Sequence, residues 1–375
     1  MSSMGQVRNF GAGPAALPPG IAEESAQQVR DLGASGVGIL EHSHRSQAYA
    51  SIHRETIELG RALLEIPDEY AVLLVQGGAS WQFAMVPLNF LPADRSADYV
   101  ITGAWAQKAA EEAARVGRVR AVSEGQRQGQ GQGCDATPWR RVPTLDELRL
   151  DPEAAYLHIT TNNTIVGTQW RGPVDRGDDR VPLVADMSSD LLSRRIDVGR
   201  FALIYAGLQK NLGTSGAAMV IVRRQWLQHA RQDGPKILQY RTHETADLLY
   251  HTPPVMAVAV LRNVLRYVER TGGLVRQEQA TDRKASLLYS VIDAHPAVYR
   301  SDIDPASRPS MNVVFMLSSA AAERRFLEGA ERRAMIGLPG HRSIGGVRVS
   351  LYNGVREEWV RELAGYMHEF AEARA

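Results

Sequence analysis

The chain has 375 residues, of which 44% are hydrophobic and 23% charged, and its formal net charge is +1. That length suffices for a large buried core and two domains, and so even a charge balance gives no bulk attraction to nucleic acid or an anionic membrane. The one cysteine, Cys134, excludes an intramolecular disulfide, no run approaches the roughly 20 apolar residues of a membrane span, and residues 1–10 lack a signal-peptide core, so a cytoplasmic protein is expected.

Residues 1–15 are expected to form an N-terminal segment that packs near a smaller C-terminal domain. Strand-length apolar runs then recur at 71–75, 98–102, 155–160, 182–185, 202–205 and 217–222, with helix-like stretches such as 105–116 between several of them. That alternation predicts an α/β fold with a mostly parallel sheet covered on both faces. Residues 125–133, GQRQGQGQG, are too polar and glycine-rich to pack, which predicts a surface loop closed by Cys134. A helix over 254–270 is the expected connection to the tail. There, two strand candidates at 311–316 and 347–351 and an amphipathic helix over 357–372 predict a small α+β domain. The expected division is a large domain over 16–265 and a small one over 266–375.

Two segments point to chemistry. Residues 201–216, FALIYAGLQKNLGTSG, run an apolar strand into a small-residue loop that presents Lys210. Partial burial there would lower the lysine's pKa and ready it to attack an aldehyde; otherwise it is a surface lysine after a strand. Residues 181–190, VPLVADMSSD, end a second strand at Asp186. A carboxylate there can pair with a pyridine nitrogen and keep it protonated, which makes the ring an electron sink. The two residues are 24 apart, about one strand and a crossover, so they can face one ligand at neighbouring strand ends. An anion site is also needed. Gly77, Gly78, Ala79 and Ser80 join a strand to a helix, a weak match to a phosphate cradle. Trp105 follows another strand and Gly103, where it can stack on a ring or fill the core.

The order and spacing of nine segments then resemble one family across nearly the whole chain: NFGAGPAALP from Asn9, EHSHRS from Glu41, GGASWQFAMVPLN from Gly77, DYVITGAW from Asp98, NNTIVGTQW from Asn162, ADMSSDLLSR from Ala185, YAGLQKNLG from Tyr205, HTPP from His251 and GHRSIGGVRVSLYN from Gly340. The chain is similar to the phosphoserine aminotransferases, fold type I enzymes that use pyridoxal 5′-phosphate (PLP). The resemblance implies that the large domain binds PLP and that no metal takes part. It implies that Lys210 holds the cofactor covalently and shuttles the proton between the substrate's α-carbon and the cofactor's C4′. It pairs Asp186 with the pyridine nitrogen, stacks Trp105 on the ring and sets Thr164 beside it. It gives the phosphate to Ala79, Ser80 and Gln209, with His251 and Thr252 reaching it from the other subunit of a homodimer. Two positions depart from part of the family: asparagine is common where His251 stands, and some members have arginine where Ser80 stands.

The resemblance also assigns the basic residues. Arg348 takes the substrate α-carboxylate, and His44, Arg45, His341 and Arg342 take the distal phosphate or γ-carboxylate. Such a cluster suits substrates with two or three negative charges. The implied reaction moves the amino group of L-glutamate to 3-phosphohydroxypyruvate, giving L-phosphoserine and 2-oxoglutarate in serine biosynthesis; some members also act in pyridoxine biosynthesis. The fold alone leaves open a lyase, a desulfurase or a non-catalytic PLP-binding regulator. Cys134 lies far from every matched motif, against a desulfurase, and no residues are spare for a DNA-binding domain.

Overall fold

The computed structural model describes residues 6–124, 139–172, 180–246 and 250–373; the segment 125–133 and Cys134 lie outside them. Seven strands build the main sheet: β1 (Tyr70–Gln76), β2 (Ser96–Ile101), β3 (Arg118–Glu124), β4 (Leu157–Thr160), β5 (Leu183–Asp186), β6 (Leu203–Gly207) and β7 (Ala217–Arg223). Their spatial order is β1-β7-β6-β5-β4-β2-β3. Only β7 runs against its neighbours; the other pairs are parallel.

The continuous apolar runs follow from burial on both faces. Along β1, Val72 and Leu74 join the core on one face, while Ala71, Leu73 and Val75 join the core on the other. Helices α1 (Ile21–Arg30), α2 (Gln47–Leu63), α3 (Ala79–Phe90), α4 (Ala104–Ala113) and α5 (Val255–Arg270) accompany the sheet. Ser46 caps α2 by accepting from the Tyr49 N–H. Helix α4 stops short of residue 116, because the chain turns at Gly117, where a Cβ would come within 2.9 Å of Leu91. Strand β3 is absent from the sequence-based reading. Its residues alternate arginine with small and apolar side chains, as suits an edge strand.

A second core lies beyond α5. Strands β8 (Tyr299–Arg300), β9 (Asn312–Leu317) and β10 (Val347–Ser350) form an antiparallel sheet in that order. Helices α6 (Gly273–Ala294), α7 (Ala320–Arg332) and α8 (Glu357–Glu372) pack with it around Leu288, Phe315, Phe326, Val349 and Met367. Phe10 enters the same core, because Arg8–Asn9 pairs in parallel with Met335–Ile336. Among the described residues no helix is long and apolar enough to cross a membrane.

Buried polar bonds join the two cores. Asn162 Nδ2 donates to Asn312 Oδ1 at 2.8 Å, and the Ser310 N–H donates to Gln169 Oε1 at 3.0 Å. The turn after β10 packs on the N-terminal segment so closely that a Cβ on Gly354 would lie 2.0 Å from the Ala16 carbonyl oxygen. Gly354→Ala must therefore push backbone from backbone. It should cost about 1–3 kcal/mol of stability, as overpacked sites do, read from chemical denaturation of the two proteins. Wild-type stability in the variant would mean that the N-terminal segment does not pack there.

Candidate active site

Parallel strands present their carboxyl ends on one edge of the sheet, and ligands of open α/β sheets bind outside those ends. Gln76, Ile101, Thr160, Asp186 and Gly207 all end strands on this edge. Asp186 pairs in register with Thr160 on one side and Tyr205 on the other, so Lys210, five residues past Tyr205, turns back over the same crevice.

Asp186 is 5% exposed. Both the N–H and the hydroxyl of Ser188 donate to its Oδ1, at 2.9 and 2.6 Å, and Ser188 Oγ accepts from the Gly207 N–H at 3.1 Å. The serine thus ties the carboxylate to the end of β6. Among the described residues Oδ2 has no hydrogen-bond partner. Burial raises the Asp186 pKa, and the Lys210 charge works against that rise. Lys210 mirrors this: burial lowers its pKa, opposed first by Asp186 and then by Asp190. Its Nζ lies 5.9 Å from the centroid of the Trp105 ring.

Trp105 Nε1 donates to Thr164 Oγ1 at 3.2 Å, and Arg348 Nη1 donates to the Thr164 carbonyl at 3.1 Å. One residue therefore orients both the indole and the guanidinium. Arg348 Nε is buried without a partner, and burial lowers the arginine's pKa.

Helix α3 starts at Ala79 with Gly78 before it and no side chain capping its amides, which leaves the helix N-terminus open to an anion. A Cβ on Gly207 would lie 2.7 Å from Gln209 Oε1 and 3.4 Å from the Ala79 nitrogen. Three backbone and side-chain groups thus meet in a space only glycine leaves open. This cradle, the free Asp186 oxygen and the neighbouring lysine match the phosphate, ring nitrogen and aldehyde of PLP. Ser80 stands exposed at the rim.

The remaining expected residues are placed less centrally. His251 Nε2 lies 2.9 Å from Gln76 Oε1 of the same chain, beside the cradle, and Thr252 is exposed. His341 is held by Ser343, with Nδ1 2.7 Å from Ser343 Oγ. Burial, then Arg348, Arg342 and Lys108, hold its imidazole below the ordinary range. Arg342 and Arg45 are exposed. Among the described residues no hydrogen bond or ion pair links His44 or Arg45 to the Lys210 group. His42 Nε2 lies 3.1 Å from Ser35 Oγ.

Two residues escape the sequence reading. Lys108 Nζ lies 4.6 Å from the Trp105 centroid; its place one helical turn after Trp105 is the signal that could have marked it. Ser188 is the other, marked by its position two residues after Asp186. Among the described residues no group of three or more His, Cys, Asp or Glu is arranged to hold a metal ion.

Comparison with known proteins identifies the family. The family model for aminotransferase class V matches residues 7–363. A phosphoserine aminotransferase of Herpetosiphon aurantiacus is 44% identical over 97% of this chain and 98% of its own. The chain belongs to the phosphoserine aminotransferase family. The Bacillus subtilis member is 43% identical over 98% of this chain and 99% of its own. Among solved structures, the phosphoserine aminotransferase of Bacillus circulans subsp. alkalophilus superposes with a TM-score of 0.92 at 41% identity, covering 99% of both chains. The PLP-bound enzyme of Trichomonas vaginalis gives 0.89 at 31% identity, covering 97% of this chain and 100% of its own. The family settles the fold type, as the resemblance implied, and pyridoxal phosphate as the cofactor.

Ser188→Ala removes one hydroxyl bond to Asp186 and leaves the Gly207 N–H without its acceptor. A hydrogen bond to a charged group contributes about 1.5–3 kcal/mol, so PLP affinity should fall roughly tenfold or more. Equilibrium dialysis of the cofactor measures it. Unchanged affinity would mean that Asp186 is oriented by the backbone alone.

Proposed function

We infer that the chain is a PLP-dependent phosphoserine transaminase of serine biosynthesis, exchanging the amino group between L-glutamate and 3-phosphohydroxypyruvate. The observation that carries the reading within the molecule is the convergence of Lys210, Asp186, Trp105, Thr164 and Arg348 on one strand-end crevice beside a cradle for phosphate. When bound, PLP supplies the electron sink. The chain's own residues do the rest. Asp186 Oδ2 holds the proton on the pyridine nitrogen. Ala79, Ser80 and Gln209 hold the phosphate, with the α3 amides. Lys210 anchors the cofactor and, freed, moves the substrate's α-proton; burial lowers its pKa toward the range where a base works near neutral pH. Arg348 fixes the α-carboxylate, which aims the α-hydrogen at the lysine.

We propose that the distal acid is read by His341 and Arg342 together with His44 and Arg45, and that the last two come from a partner subunit. The geometry supports this, because among the described residues the His44–Arg45 turn has no bond to the site of its own chain. Exposed apolar residues flank the same segments: Leu40 at 60%, Trp81 at 54% and Tyr250 at 44%, next to His44–Arg45, Ala79–Ser80 and His251–Thr252. Large apolar side chains in water at three matched places fit an interface between copies. In such a homodimer His251 and Thr252 reach the partner's phosphate site.

Single-turnover absorbance with each amino donor tests the reaction: glutamate and phosphoserine should both discharge the cofactor's colour, and failure of both would overturn it. Arg348→Ala should lower kcat/KM for both donors alike, by about 10–100-fold for a lost charged hydrogen bond. Arg45→Ala and Arg342→Ala should each weaken phosphoserine more than glutamate, because a phosphate monoester carries nearly two charges at neutral pH. An Arg348→Ala protein that spares one donor would break this division. For the shared site, mixing inactive Lys210→Ala chains with Arg45→Ala chains impaired toward phosphoserine should raise activity toward phosphoserine, since a mixed dimer holds one site with both residues intact. Verified mixed dimers without that rise would show that Arg45 serves its own chain.

A further inference from the structure

Lys284 lies on the buried face of α6, in a row with Leu274, Gln277, Thr281, Leu288 and Val291, and is 3% exposed. A buried lysine needs its charge matched, and among the described residues no carboxylate bonds this one. Its Nζ instead donates to three main-chain carbonyls, of Leu351 at 2.7 Å, Tyr352 at 3.0 Å and Val355 at 3.1 Å. Three acceptors use all three hydrogens of an ammonium, one more than a neutral amine has. Burial pulls the group down to about 7, with Glu357 the opposing charge, and the three carbonyls favour the charged form.

The three carbonyls belong to one turn, residues 351–355, which directly follows the strand that carries Arg348. The same turn reaches the other parts of the site. Tyr352 Oη donates to the Ala12 carbonyl at 2.9 Å. The Asn353 N–H donates at 3.0 Å to Oδ1 of Asn211, the residue after Lys210. Asn353 Nδ2 donates at 2.8 Å to the Leu192 carbonyl, six residues past Asp186. The turn thus joins the N-terminal segment, the Lys210 loop, the segment after Asp186 and the Arg348 strand. The Tyr352 carbonyl also accepts from the Val355 N–H at 2.8 Å, so Lys284 is a second donor there, while it supplies the donor for the Leu351 and Val355 carbonyls.

We propose that Lys284 is a positioning residue for transamination. By clamping the 351–355 turn, it sets Arg348 on one side and, through Asn353 and Asn211, the Lys210 loop on the other. It touches neither substrate nor cofactor. An apolar side chain of equal length would fill the space but leave the turn free to shift, carrying both anchors with it. The proposal rests on Arg348 and Lys210 having the roles given above.

The test compares wild-type, Lys284→Met and Lys284→Arg holoenzymes. In Lys284→Met, KM for glutamate and for phosphoserine should rise together by about tenfold, the scale of one misplaced charged hydrogen bond, with kcat changed much less. The pH midpoint of the absorbance of the Lys210-bound cofactor should move by about half a unit or more, as a lysine's environment shifts. Lys284→Arg, which also offers several donors, should restore most of both. The midpoint is read without substrate, so it separates failure of this proposal from failure of the functional reading. If Lys284→Met melts earlier but keeps both KM values and the midpoint, Lys284 only supports the core and the proposal is wrong. Should Lys284→Met not fold, the same readouts on Lys284→Gln, whose amide keeps two donors, decide on the same terms.

Discussion

Asp186 and Lys210 hold opposite charges in a dry crevice at the ends of neighbouring strands. Burial pushes the aspartate up and the lysine down, and each charge partly offsets the cost of the other. Such a pair needs a rigid frame, because a small separation would leave two uncompensated charges. The frame is visible behind it. Ser188 bridges Asp186 to Gly207. Asp190, one helical turn on, accepts from Thr161 Oγ1 at 2.5 Å and from Gln169 Nε2 at 3.2 Å. Gln169 in turn accepts from Ser310 in the second core. The polar groups that steady the reactive pair therefore also join the sheet to the smaller α/β layer that carries Arg348.

The layer beneath the pair is polar but neutral. His158, 1% exposed, has Nε2 2.9 Å from Tyr205 Oη and stacks on Tyr99 at 4.7 Å. Burial holds its pKa down to about 3, so it adds no positive charge under Asp186. That choice matters. A cationic histidine there would lower the aspartate's pKa and weaken its hold on a ring proton, whereas a neutral imidazole fills the space and leaves Lys210 as the cation that faces it.

Much of this was readable from sequence, for physical reasons. Strands buried on both faces leave continuous apolar runs, so β1, β2 and β4 to β7 show plainly, and Lys210 and Asp186 stand at strand ends where a charge is conspicuous. Strand β3 does not show, because its run from Arg118 to Glu124 interrupts the apolar residues with arginines instead of running continuously apolar like the others. The partners that orient the site are equally hidden. Ser188 looks like a loop serine, Lys108 like a helix-surface lysine, and Lys284 like any charge on an amphipathic helix. Their roles come from which backbone atoms lie opposite them, and only the folded chain determines that. His44 and Arg45 are the reverse case: the SHR motif is legible, but among the described residues the turn has no bond to the site.

The cations at the mouth of the crevice differ in a way that fits a two-substrate enzyme. None of Lys108, His341, Arg342 and Arg348 pairs with a carboxylate among the described residues. Arg348 is fixed by the Thr164 carbonyl and partly sheltered from water, so its fork is set before ligand arrives. Arg342 is exposed and sits on a glycine-rich loop, with Gly345 and Gly346 both at positive φ. Glutamate and phosphoserine share the α-carboxylate but differ in the length, shape and charge of the other end. On the proposed division, the arginine held by Thr164 meets the shared group and the exposed one meets the group that varies. His341 completes the division. Burial and three neighbouring cations hold its pKa down, and an arriving anion would oppose that depression. A dianionic phosphate compensates those cations more fully than a carboxylate does, and it favours the charged imidazole more strongly. On the proposed assignment, the distal group therefore meets surroundings that respond to its charge, while Arg348 meets the same α-carboxylate in both substrates.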